Sequence, residues 1–249
     1  MAKVLIPVPD KDFDTTEVSV PWRQLTDAGH DVVFATERGG SPPQCDPRLL
    51  TGVVFGKLGA APEPARLYAE MTAAPEFRQP VSWSDVETSA FGGLVLPGGH
   101  ASGMRQYLES AALQHKVAEF WQLDRPVGAI CHGVLVLART LDPATSRSVI
   151  RERFTTCLPR YMERSAWLLT AWKLGSYYRT YPMSVQDEVT AALQDASRFI
   201  RGPFTLSRRG TGSDDSPAFA VRDGNYLSAR WPGDAYLFAK KFVAMLAED

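Results

Sequence analysis

The sequence predicts an α/β fold, a three-layer doubly wound sandwich around a mostly parallel sheet. Three observations lead there. Short apolar runs at residues 4–8, 31–35, 92–96 and 127–130 alternate with segments of helical periodicity. The first unit closes at Gly29 as a β-α-β opening, whose crossover is right-handed in parallel sheets. Late in the chain, Asp223-Gly224-Asn225 lies between two strand-like stretches and reads as a hairpin turn. The 249 residues are 45% hydrophobic, enough to bury a real core. Residues 1–249 therefore read as a single domain that carries one insertion.

Taken in order, residues 4–8 read as a buried strand and residues 16–28 as a helix with Thr15 or Thr16 as N-cap. Pro21 offers no N–H to the Glu17 carbonyl, so a distortion is expected there. A second strand covers 31–35. Residues 39–65 are rich in Gly and Pro and read as an irregular excursion, followed by a short helix at 65–73. The strand at 92–96 stops at Pro97-Gly98-Gly99. Residues 104–123 keep Met104, Tyr107, Leu108, Leu113, Val117, Phe120 and Trp121 near one helical face. A strand at 127–130 and a helix at 134–141 follow. Residues 157–200 form the insertion, with helices at 161–174 and 185–195 and many Tyr and Trp side chains. It reads as a cap over a pocket, or else as ordinary core for two extra helices. Strands at 218–221 and 226–229 precede a last helix at 235–246, with Asp234 as its N-cap.

Bulk charge removes several function classes. Lys and Arg total 27 against 28 Asp and Glu, a net charge of −1. Neither nucleic acid nor an anionic membrane surface is an expected partner. No apolar run approaches the ~18 residues of a membrane span. The N-terminus has no signal-peptide pattern, so the expected location is cytoplasmic. Three widely spaced cysteines argue against a disulfide framework. No Cys-x-x-Cys or His-x-x-x-His spacing occurs, so no metal and no cofactor is expected.

The stretch PVGAICHGVLVLA at residues 126–138 is where chemistry is expected. An apolar strand ends at Cys131 and a helix begins just beyond it, so the thiol lies at the carboxyl end of a strand, where open α/β sheets bind ligands. This is the pattern of a nucleophile elbow. Such a turn tolerates only small residues two positions to either side, and here they are Ala129 and Gly133. Amides and dipole at the helix start are expected to lower the thiol pKa. The plainer reading is a buried cysteine acting as a small hydrophobe, which suits Cys45 and Cys157. In Leu96-Pro97-Gly98-Gly99-His100, the Gly98 and Gly99 amides are candidate oxyanion donors, or the glycines simply make a turn. Glu17, in the first turn of the first helix, would donate to a thiolate if protonated and repel it if ionised. Its plainer reading is a solvated first-turn glutamate.

Together AICHG, VLPGGH and TEVSVPWRQLTDAGHDVVFAT resemble the class I glutamine amidotransferase-like superfamily. More narrowly they resemble its PfpI-type branch, with glyoxalase III, deglycase-like chaperones and isonitrile hydratases. The resemblance covers residues 1–150 and resumes at VRDGNYLSARWPGDAYLFAKKFVAML. It implies Cys131 as nucleophile, Glu17 as carboxyl partner of the sulfur, and the Gly99 and His132 amides as oxyanion donors. It also implies that His132 is either a base or only an amide donor. A third acid is not evident; Glu163 is the candidate, with Asp187 and Glu188 as further options. Where the family carries Gly-Gln-Asn-Pro, this chain has Ala229-Arg230-Trp231-Pro232-Gly233, placing an indole and a cation near the site mouth. His100, Trp231 and Trp167 are candidate pocket-lining residues.

The function these features imply is a cysteine-dependent enzyme acting on a small substrate with an electrophilic carbonyl, amide or nitrile-like carbon. Glutamine amidotransfer is disfavoured: it relies on a Cys…His-x-Glu triad, and no His follows His132. The alternatives are a redox-sensing or holdase-chaperone protein using the same cysteine, or a ligand-binding member without turnover. A homodimer is expected by resemblance.

Overall fold

The computed structural model describes residues 1–248. The strands are β1 (Lys3–Pro7), β2 (Lys11–Phe13), β3 (Asp31–Thr36), β4 (Gln44–Cys45), β5 (Val81–Ser82), β6 (Gly93–Leu96), β7 (Val127–Ile130), β8 (Ala220–Asp223) and β9 (Tyr226–Ala229). Seven of them form one sheet in the order β5-β3-β1-β6-β7-β9-β8. All neighbours are parallel except β8 and β9, which form the expected antiparallel hairpin. The chain winds outward from β1 through β3 to β5, then crosses to β6 on the other side. The switch point therefore lies between β1 and β6, where doubly wound sheets bind ligands.

The helices are α1 (Thr15–Asp27), α2 (Pro47–Thr51), α3 (Pro62–Ala73), α4 (Pro75–Arg78), α5 (Arg105–Leu108), α6 (Ala111–Trp121), α7 (Val134–Arg139), α8 (Arg160–Leu174), α9 (Val185–Ala192) and α10 (Ala235–Leu246). Helix α1 packs on α3 and α10 in one layer, and α7 packs on α6 and α9 in another. Central strands β6, β7 and β9 are buried along their whole length. They read as continuous apolar runs because both faces of a parallel sheet are covered.

Local expectations change at three places. The N-cap of α1 is Asp14, whose Oδ1 accepts from the Thr16 and Glu17 amides at 2.8 and 3.0 Å. The helix continues through Pro21. The stretch 104–123 is broken at Glu109 and Ser110, where the Ser110 hydroxyl accepts from Leu113 N–H and restarts the chain as α6. Apolar periodicity survives such a break because both pieces face the same sheet. Finally, the Asp234 side chain does not cap α10. It pairs with Arg230 at 2.8 Å, both side chains being fully buried, and accepts from the Phe219 amide. The cation expected near the site mouth is thus an interior strut.

The site depends on how closely the end of β6 approaches the turn after β7. A Cβ on Gly133 would lie 2.1 Å from the Leu96 carbonyl oxygen and 2.7 Å from that of Pro97. No side chain fits there. Gly133→Ala is expected to lower the unfolding free energy by at least about 2 kcal/mol through overpacking, read from urea midpoints at unchanged m-value. Equal midpoints would show that the turn yields at little cost.

Candidate active site

Three strand ends supply the site. Cys131 begins the single turn Cys131–Gly133 after β7 and has φ +59°. A non-glycine residue held in the left-handed region is strained, a feature that clusters at functional sites. Glu17 comes from the first turn of α1, after β1. Gly98 and Gly99 follow β6. The structure brings these residues together: the Gly98 amide donates to Glu17 Oε2 at 2.9 Å. A Cβ on Gly98 would lie 2.7 Å from the His132 nitrogen and 2.9 Å from Glu17 Oε2, so glycine permits this contact. The same bond occupies the Gly98 N–H, so Gly98 is not a free oxyanion donor as expected. The Gly99 amide has no hydrogen-bond acceptor among the described residues.

Cys131 and the Glu17 carboxyl form a buried pair joined by a side-chain hydrogen bond. Glu17 is fully buried, with its carboxyl held between the Gly98 amide and the Cys131 sulfur. Burial, reinforced by the Asp14 charge, holds Glu17 well above the usual carboxylate range. Burial, reinforced by Glu17 and Asp14, likewise pushes the Cys131 thiol up. The pair therefore resists carrying two charges. The helix start does act in the expected direction, since the His132 N–H donates to the sulfur and lowers its pKa. It does not outweigh burial, the largest influence on the thiol, or the Glu17 and Asp14 charges.

His132 is buried and held well below its ordinary pKa by burial and by the His100 and Arg139 charges, so it is neutral. Its tautomer follows from hydrogen-bond accounting. The Thr180 hydroxyl donates its one proton to the His100 carbonyl at 2.7 Å. Toward His132 Nε2, 3.3 Å away, it must therefore accept. Nε2 carries the proton, and Nδ1 faces Cys131 Sγ at 3.6 Å with a free lone pair. Arg105 holds the Thr180 carbonyl at 3.0 Å. Thr180 thus occupies the place where a third acid was expected. No sequence signal marks it, since nothing local relates a loop threonine to a distant histidine.

The candidate third acids lie elsewhere. Glu163 accepts from the Val185 amide at the start of α9 at 3.0 Å, and burial raises its pKa to about 7. Among the described residues it makes no hydrogen bond to His132. Asp187 pairs with Arg160, and Glu188 with Arg139 at 2.6 Å. All three support the insertion helices.

A cavity of about 440 Å³ opens onto the sulfur and is also lined by His100, Asp14, Tyr178 and Trp231. Trp167 is not in its wall; Ala166, Leu169 and Met162 of α8 are. The insertion is therefore half wall and half core, with α9 burying Val185 and Val189 against the main cluster. Sequence reasoning missed Asp14 and Arg209. Arg209 lines the cavity with its guanidinium 5.3 Å from the Trp231 ring centre. Asp-Thr-Thr before an apolar helix was a readable capping signal for Asp14; Arg209 had none.

Fold and site together define an α/β sandwich with a cysteine elbow and a carboxyl group at the switch point. The ThiJ/PfpI family-like pattern matches residues 8–203. The chain belongs to the ThiJ/PfpI family. It is 27% identical to an uncharacterised protein of Schizosaccharomyces pombe, across 98% of this chain and 84% of that one. It is 23% identical to the deglycase PfpI of Pyrococcus furiosus, across 94% of each. The crystal structure of glyoxalase III from Candida albicans superposes with a TM-score of 0.70 at 18% identity, covering 98% of this chain and 96% of that one. In the described residues no helix is long and apolar enough to cross a membrane.

Asp14 tests the electrostatic account. Its pKa is raised to about 6 by burial, so at neutral pH it is largely ionised and repels negative charge on either member of the pair. Asp14→Asn keeps a capping oxygen and removes that charge. The pH midpoint of Cys131 alkylation, followed by mass spectrometry, should fall. An unchanged or higher midpoint would contradict the assignment.

Proposed function

We propose that this protein is an enzyme that adds the Cys131 sulfur to the electrophilic carbon of a small carbonyl substrate. One observation carries this reading. The sulfur lies on the wall of a cavity, held at positive φ, with the lone pair of a tautomer-locked imidazole 3.6 Å away. A buried structural cysteine requires none of this. The names of the relatives, deglycase and glyoxalase III, favour a carbonyl over an amide or nitrile carbon.

The chemistry follows from the geometry. As sulfur attacks, a C–S bond forms and the carbonyl π pair moves to oxygen. The thiol proton passes to His132 Nδ1. In the free site that transfer is uphill, because the thiol is pushed up and the imidazole down. The developing oxyanion supplies the missing counter-charge, so proton transfer and C–S formation proceed together. The Gly99 amide is the free donor for that oxygen. Leu58, Met162, Leu169 and Leu206 make most of the wall apolar, and Arg209 adds one cation. This suits a substrate with an apolar body and one polar or anionic end.

Turnover of a panel of 2-oxoaldehydes with varied apolar tails tests the proposal. Cys131→Ser should reduce kcat/KM by at least ~10³-fold and His132→Ala by ~10²-fold. Both should retain native circular dichroism. Turnover that survives in folded Cys131→Ser would end this reading. Thr180→Val removes the acceptor that locks the His132 tautomer, and is expected to lower kcat about tenfold while KM changes little.

A further inference from the structure

We propose that His100, Cys131 and His132 form a binding site for a soft four-coordinate cation, with Zn²⁺ as the reference ion. The ligand atoms of the three side chains all lie within 4.8 Å of one another. Cys131 Sγ and His132 Nδ1 are 3.6 Å apart. A tetrahedral zinc with bonds of about 2.3 Å to sulfur and about 2.0 Å to nitrogen has an S···N edge of about 3.5 Å. Two ligands are therefore already at coordination spacing. The His100 ring stands edge-on to His132, centroids 4.8 Å apart. A shift of up to ~1.5 Å brings its nitrogen to coordination spacing.

The surroundings match what a metal site needs beyond its ligands. A ligating histidine commonly donates its other N–H to a neighbouring oxygen, which fixes the ring. Thr180 does this for His132, and the same hydroxyl holds the backbone of His100. One residue thus fixes the His132 ring and ties it to the backbone of His100. Asp14 lines the same cavity, where the Arg209 guanidinium acts on its charge, and Glu17 borders the sulfur. A thiolate with two imidazoles selects borderline-soft ions over Mg²⁺ or Ca²⁺. His100 and Cys131 both line the cavity, from which a fourth ligand would reach the ion.

On binding, the S–H bond gives way to an S–Zn bond and the proton leaves to water. While the ion is bound, that sulfur lone pair is unavailable to carbon. Cation and carbonyl substrate are therefore mutually exclusive, and cation binding does not depend on turnover.

The test reads binding optically, so its failure is separate from failure of the enzymatic proposal. Cd²⁺ is titrated into reduced full-length protein, and the sulfur-to-cadmium charge-transfer band is followed in the ultraviolet. Zn²⁺ affinity is measured by competition with a chromophoric chelator. The wild type should take one equivalent of Cd²⁺ with the band, and Cys131→Ser should lose the band. His100→Gln should weaken Zn²⁺ by at least ~10-fold. If a variant fails to fold, wild type alkylated at Cys131 replaces it and should also lose the band. No band in the folded wild type, a band that persists after Cys131 is blocked, or unchanged Zn²⁺ affinity in His100→Gln would overturn the proposal.

Discussion

The close approach of two strand ends is the constraint on which the rest of the site depends. The carbonyl oxygens of Leu96 and Pro97 occupy the space where any side chain at 133 would stand. That contact presses the turn after β7 against the loop after β6. The chain at Cys131 then has to reverse within one residue and adopts φ +59°. The strain is maintained by the surrounding core, since β6 and β7 are buried along their length and covered on both faces. Nucleophile candidate, carboxyl partner and free amide all meet where this contact draws the loops together.

The electrostatics of the site follow from its dryness. In water a cysteine, a glutamate and a histidine would titrate almost independently. Here each departs in the direction that burial dictates: acids up, imidazoles down. A group that resists ionisation alone is sensitive to any charge that arrives, whether an oxyanion or a cation. The His132 amide at the helix start lowers the thiol pKa, but it does not offset the loss of solvent.

The insertion acts by holding one threonine in place. Tyr178 donates to Asp46 at 2.5 Å, which ties the loop after α8 to the excursion before α2. Arg105 holds the Thr180 carbonyl from the other side. Between these anchors the Thr180 hydroxyl meets the His132 ring and the His100 carbonyl. An acid at this point would pull the imidazole toward the charged form. A threonine leaves it neutral and fixes which nitrogen carries the proton.

The sequence by itself determined the α/β order, the parallel core strands, the β8–β9 hairpin and the position of Cys131 at a strand end. These are local properties. Apolar runs, turn residues and small neighbours act over a few positions, and each can be read where it stands. The pairing of Cys131 with Glu17 was legible through family resemblance, because the motifs that carry both are recognisable. Only the tertiary structure decided the occupation of the Gly98 amide, the role of Thr180, the exclusion of Trp167 and Glu163 from the site, and the burial of Arg230 against Asp234. These depend on which loops meet across the switch point and on how much water they exclude. Hydrogen-bond satisfaction and desolvation act between residues far apart in the chain, and no periodicity or spacing in the sequence encodes them.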